Sequence, residues 1–115
     1  MKNLILLTLL IASPAVTMPA WAHAKLTASD PTANASVKTI KQIKLTFSES
    51  LEPAFSGADL IDAAGKTVPV SKSVGGTTIT LLPLALKPGA YKVIWHSVGR
   101  DTHRVGGSFG FKVVP

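Results

Sequence analysis

From His23 onward the chain alternates apolar and polar residues with a period of two and nowhere sustains a helical period, which confines it to β-strands. In Gln42–Ser48 the side chains of Ile43, Leu45 and Phe47 share one face while Lys44 and Thr46 take the other, because successive strand residues point to opposite sides. Gly107–Val114 repeats the pattern with Phe109, Phe111 and Val113. Shorter runs at Lys25–Ser29, Ala58–Asp62, Val68–Ser71, Thr77–Leu82 and Ala90–His96 read as further strands. Turn chemistry separates them at Asp30-Pro31, Ala64-Gly65, Gly75-Gly76 and Pro88-Gly89, where proline fixes φ or glycine admits a positive one.

The first 22 residues are of a different kind. Met1-Lys2-Asn3 is a short positive start, Leu4–Ala12 is apolar but for Thr8, and Ala20-Trp21-Ala22 is an A-x-A cleavage signal, together the pattern of a secretory signal peptide. A membrane anchor fits less well, since Ser13, Pro14 and Pro19 interrupt a stretch shorter than the roughly 20 residues a spanning helix needs. Cleavage after Ala22 would leave residues 23–115 as one domain with no further candidate membrane span. That length can bury a core without staples, and about seven short strands within it predict an all-β, Greek-key β-sandwich of immunoglobulin-like or cupredoxin-like kind.

Composition then excludes chemistry. The sequence has no cysteine, and both methionines, Met1 and Met18, lie in the leader. Residues 23–115 therefore contain no sulfur, so neither thiolate catalysis nor a soft-metal site is available to them. They carry eleven basic and six acidic residues, a formal charge of +5. The lysines are scattered singly and one tryptophan, Trp95, remains, so no aromatic platform for nucleic-acid bases exists.

Two features point to a metal. If cleavage falls after Ala22, His23 becomes the first residue and offers both an α-amine and an imidazole nitrogen. Such a pair suits Cu(II), which prefers tetragonal nitrogen and oxygen sites. The alternative is an ordinary exposed histidine in a frayed terminus. The second feature is Asp101-Thr102-His103, in the loop Gly99–Gly106 between the last two strands. Residues two apart in extended chain face the same side, which would present a carboxylate oxygen beside an imidazole nitrogen. An Asx-type turn with a nearby surface histidine is the alternative there. His96, after Trp95, reads as structural or surface.

Several segments together carry a family resemblance: His23-Ala24-Lys25-Leu26 with Ser29-Asp30-Pro31, Phe47-Ser48-Glu49, Phe55-Ser56-Gly57-Ala58, Leu86–Val93, Trp95, Asp101-Thr102-His103 and Phe109-Gly110-Phe111. Across essentially all of residues 23–115 the chain resembles the CopC family of periplasmic copper-binding proteins. The resemblance implies a seven-stranded cupredoxin-like sandwich holding one Cu(II) through His23, its amine, Asp101 and His103. It makes Glu49 a weak ligand or an outer partner that orients an imidazole, against the alternative of a plain charged residue at a strand end. It further implies a monomeric carrier or buffer in copper homeostasis or resistance, with an inner-membrane copper transporter of the CopD type as partner. Two departures stand out. The middle region, Ile61–Thr77, is short and has no methionine, so the Cu(I) site of some relatives is expected to be absent, and Arg104 follows the D-x-H pair where proline is frequent in relatives.

Two other classes of function remain. A histidine brace also occurs in copper oxygenases, but a carboxylate in the fourth position hinders the open site that oxygen needs, and a single Tyr and a single Trp make a poor substrate platform. A metal-free sandwich acting as an interaction module is the other. No catalytic residue is assigned.

Overall fold

A computed structural model describes residues 23–115. The leader and its cleavage signal, read at residues 1–22, lie outside the described residues. Those described form nine strands: β1 (Leu26–Asp30), β2 (Ser36–Val37), β3 (Ile43–Phe47), β4 (Gly57–Ile61), β5 (Thr67–Val68), β6 (Val70–Gly75), β7 (Thr78–Pro83), β8 (Gly89–Val98) and β9 (Arg104–Val113). They build two sheets, β1-β3-β7-β6 and β2-β9-β8-β4-β5, with every pairing antiparallel except β2 with β9.

Alternation sets which faces meet. Ile43, Leu45 and Phe47 of β3 and Ile79 and Leu81 of β7 line the inner face of the first sheet, and all five are buried. Ala58 and Leu60 of β4, Val93 and Trp95 of β8, and Phe111 and Val113 of β9 answer them from the second. Each fully buried aliphatic side chain of this set stabilises the fold by about 1.5–3 kcal/mol. Phe47 meets Trp95 edge-on, with centroids 5.3 Å apart, an arrangement aromatic quadrupoles favour.

The seven longer strands follow the alternating runs, and β2 and β5 are two-residue additions. One run is divided: Val68 ends β5 in the second sheet, whereas Val70 opens β6 in the first. Pro69 stands between them, where its missing N–H and fixed φ suit a chain leaving one ladder for another. The turn at Gly75-Gly76 is a tight hairpin, with Gly75 paired to Thr78 and Gly76 at a φ of 56°, as primed hairpin turns require.

The pairing of β8 with β9 positions the D-x-H segment. It runs unbroken from Gly89↔Val113 to Val98↔Arg104, so the ordered ladder closes a loop of only Gly99–His103. That is shorter than the Gly99–Gly106 loop expected, because Arg104, Val105 and Gly106 continue the ladder.

Candidate metal centre

The segment before β1 is fixed by serines rather than frayed. Ser48, just after β3, donates to the His23 carbonyl at 3.1 Å and accepts from the Lys25 N–H at 2.9 Å. Ser97, fully buried on β8, donates to the Ala24 carbonyl, and Ala24 is itself fully buried. Three consecutive residues are thus tied to both sheets, and His23 is held at the end of the sandwich where the β8–β9 loop emerges.

That loop brings the D-x-H pair to the same place. Thr102 donates its N–H to the Gly99 carbonyl at 3.1 Å, and the His103 N–H meets Asp101 Oδ1 at 3.2 Å. Thr102 has a φ of 62°, a left-handed conformation that is unfavourable for a β-branched residue. The extended geometry read from the spacing is therefore replaced by a tight turn with one strained residue, and strain of this sort gathers at functional sites.

His23 and His103 converge on one carboxylate oxygen. His23 Nδ1 lies 3.0 Å from Asp101 Oδ2 across 78 positions of sequence, and His103 Nδ1 lies 3.5 Å from the same atom. The two rings are 5.2 Å apart at 47°. Donor atoms of His23, Asp101 and His103 all fall within 4.8 Å of one another, the one such group of three among the described residues. Exposure is graded: the Asp101 side chain retains 9%, His23 40% and His103 70%.

These residues fit a nitrogen- and oxygen-binding ion. Bonds of about 2.0–2.1 Å to an ion place neighbouring donors roughly 3 Å apart and opposed donors roughly 4 Å apart. The His23–Asp101 separation already matches the first figure, so a small closing movement of exposed His103 would complete the set.

Glu49 is placed differently. It stands outside the three-donor group, and its Oε1 is buried without a hydrogen-bond partner among the described residues. It lies under buried Gly99, so close that a Cβ there would fall 2.0 Å from Oε1. A glycine at the root of the loop is thus what lets the carboxyl approach. An orphaned buried acceptor is costly, and here it sits directly behind the Gly99–His103 loop. His96 also lies apart. It is half-buried on the outward face of β8, its ring across Gly57. Desolvation lowers its pKa from the usual 6.5, and the Arg104 guanidinium and Lys72 ammonium act the same way against the opposing Asp59 carboxylate.

Comparison with known proteins gives the site its context. The family model for the CopC domain matches residues 26–114. The chain belongs to the CopC family. Among CopC-family relatives it is 40% identical to Protein YobA of Escherichia coli strain K12 over 110 residues, covering 90% of this chain and 89% of that one. It is 37% identical to Copper resistance protein C of Pseudomonas syringae pv. tomato over 116 residues, covering 92% of each. Among solved structures, PcoC from Escherichia coli, described as a methionine-rich copper resistance protein, superposes with a TM-score of 0.75 at 33% identity, over 81% of this chain and all of that one. CopC from Methylosinus trichosporium OB3b superposes with a TM-score of 0.76 at 31% identity, over 81% and 95%. Two of these relatives, those from Pseudomonas syringae and the Escherichia coli PcoC, are described as copper resistance proteins, and the all-β sandwich is the fold this chain shares with the solved members.

Sequence reasoning had not singled out Ser97 or Gly99. The signal for Ser97 was there: it is the one polar residue on the inward set Val93, Trp95, Ser97 of β8. A hydroxyl on a core face must find a partner, and Ala24 supplies it.

Proposed function

We propose that the chain is exported, trimmed between Ala22 and His23, and carries or buffers one Cu(II) ion in the periplasm. The observation that carries this reading is the meeting of His23 and His103 on Asp101 Oδ2 at 3.0 and 3.5 Å. The ligands are the His23 imidazole, the α-amine that trimming frees, Asp101 and His103. Nδ1 of His23, the nitrogen a chelate with that amine would use, is the one turned toward Asp101. Glu49 is the outer partner of the site, its carboxyl lying behind the loop beneath Gly99.

With no Cys or Met in residues 23–115, the donors are nitrogen and oxygen alone, which favours Cu(II) and leaves no Cu(I) site. The protein acts on the ion by holding and releasing it and catalyses no reaction. An amine or imidazole nitrogen binds a metal only in its unprotonated form, so uptake competes with protons and strengthens as pH rises. An inner-membrane transporter of the CopD type is the partner in exchange, and the monomer is the working unit.

The test is competition titration with spin-resonance spectra of the bound ion. The mature form should bind one Cu(II), and one extra residue ahead of His23 should weaken binding by orders of magnitude. His103→Ala should lose more affinity than Asp101→Ala or Glu49→Ala, and His96→Ala should bind as the parent does. Equal affinities for the trimmed and extended forms would overturn the amine ligand. A loss on His96→Ala as large as on His103→Ala would overturn the ligand set.

A further inference from the structure

Ser56 carries a hydroxyl buried one position before β4. It continues the inward set of Ala58 and Leu60, so alternation alone would ask for an aliphatic side chain there. A buried hydroxyl must find partners, and both of its partners belong to one residue. Ser56 Oγ accepts from the Val98 N–H at 3.0 Å and donates to the Val98 carbonyl at 3.4 Å. The same carbonyl accepts the Glu52 N–H at 2.8 Å, and the Phe55 N–H closes the turn between Glu52 and Ser56 on the Glu52 carbonyl at 3.1 Å. One side chain and one short turn thus take up both polar backbone groups of Val98, the last residue of β8.

This contact stands where the sheet stops. The β4–β8 ladder ends at Gly57↔His96, so no backbone of β4 reaches Val98. In an antiparallel pair a residue turns its N–H and its C=O to the same neighbour. Val98 turns both toward the β3–β4 connection, so Val98↔Arg104 is a pairing without backbone hydrogen bonds, and Ser56 with Glu52 hold the root of the Gly99–His103 loop instead. That loop carries Asp101, His103 and the left-handed Thr102, at a φ of 62°. Backbone in so sparsely populated a conformation persists only where its surroundings over-determine it. His23 is tied separately, through Ser48 and the Ser97 contact to Ala24, so the two halves of the proposed site have different supports.

We propose that Ser56 is a positioning residue for the Asp101–His103 half of the site. Its hydroxyl fixes the root of the loop in the metal-free protein, so that both side chains stand near their donor positions before an ion arrives. Without it the buried Val98 N–H loses its partner, and the loop spreads over conformations of which only a fraction can bind. Apparent affinity then falls by that fraction, while the bound ion keeps the same ligands. The inference deepens the Cu(II) reading and rests on it for the effect on affinity, but not for the placement of the loop.

The experiment compares the parent with Ser56→Ala, Ser56→Thr and Tyr91→Phe. In the copper-free proteins, the amide resonances of Val98–His103 should shift or broaden in Ser56→Ala, and those of Ala24 and Lys25 should stay. The Val98 N–H should exchange with solvent about tenfold faster, the factor that the loss of one buried hydrogen bond corresponds to. Ser56→Thr keeps the hydroxyl on the same carbon and should return the loop to the parent's resonances. Loop resonances unchanged in Ser56→Ala would overturn the proposal. If Ser56→Ala does not fold, Ser56→Cys gives the same comparison, being nearly isosteric and a weaker hydrogen-bonding group.

In the loaded proteins, competition titration should find the Cu(II) affinity of Ser56→Ala lower by about three- to tenfold, with the spin-resonance spectrum of the bound ion unchanged. Tyr91→Phe loses a hydrogen bond at the far end of β8 and should keep the parent's affinity, which separates positioning from lost stability. Parental affinity in Ser56→Ala overturns the proposal. An altered spectrum also overturns it, because the hydroxyl would then act on the bound site and not on the free loop. If the parent itself takes up no Cu(II), the copper reading falls and the resonances decide alone: changes at Val98–His103 that Ser56→Thr reverses uphold Ser56 as the brace of the loop, and their absence overturns it.

Discussion

Two glycines of this fold sit where a methyl group has no room, yet they should respond differently to substitution. At Gly107 a Cβ would lie 2.6 Å from Cζ2 and 2.9 Å from Cε2 of Trp95, a ring locked in the core against Phe47. Overpacking a rigid site of this kind costs about 1–3 kcal/mol. Gly107→Ala should therefore lower the stability read from urea unfolding by that amount, followed by the fluorescence of Trp95. At Gly99 the first obstacle is Oε1 of Glu49, the far end of a flexible side chain that has no hydrogen bond to lose there. Gly99→Ala should cost less stability than Gly107→Ala while moving the Glu49 carboxyl out from behind the Gly99–His103 loop. Unfolding curves of the two variants under one set of conditions check the order.

A strand and its two ends can be separated by mutation. Tyr91, at the start of β8, donates its hydroxyl to the Lys87 carbonyl at 2.7 Å and stacks its ring on Phe111 with centroids 5.7 Å apart. This ties the Leu86–Tyr91 corner to β9, in the manner of the tyrosine corner of immunoglobulin-like sandwiches. The Gly99–His103 loop leaves from the other end of the same strand, seven residues on from Tyr91, or about 23 Å at the rise of a β-strand. Tyr91→Phe keeps the stacking and removes one hydrogen bond, a loss of about 1 kcal/mol. We expect thermal unfolding a few degrees lower, with copper affinity unchanged by titration. A drop in affinity would mean that the corner, and not the ladder between Trp95 and Val105, sets the loop.

For the whole molecule, acid should act partly through His96. Its pKa is lowered by burial first, with Arg104 and Lys72 adding and Asp59 opposing, so the folded state prefers the neutral ring and the unfolded state binds more protons near and just below the ordinary value of 6.5. The stability it contributes is complete above that value and is lost as pH falls toward the lowered one. In the copper-free protein, His96→Gln should remove part of the decline in urea midpoint between about pH 7.5 and pH 5.5, and an unchanged decline would show that this ring carries none of it. Much of the molecule is legible in the sequence. Alternation in Ile43–Phe47 and Phe109–Val113 fixes which side chains face inward, because the period of a strand is a local property, and the resemblance carried by the His23, Glu49 and D-x-H segments names the ligand candidates. The break of Val68–Ser71 into strands of two different sheets is hidden there, since local alternation does not say which partner completes a ladder. Residue types and their pattern determined the strands, the absence of sulfur donors from residues 23–115 and the candidate residues. Only the tertiary structure decided that Ser48 and Ser97 hold His23 against a loop 78 residues away, that Thr102 turns left-handed there, and that Oε1 of Glu49 lies buried beneath Gly99. These features join the segment before β1, the residues just after β3, β8 and the β8–β9 loop, and they exist only once both sheets have closed on a common core.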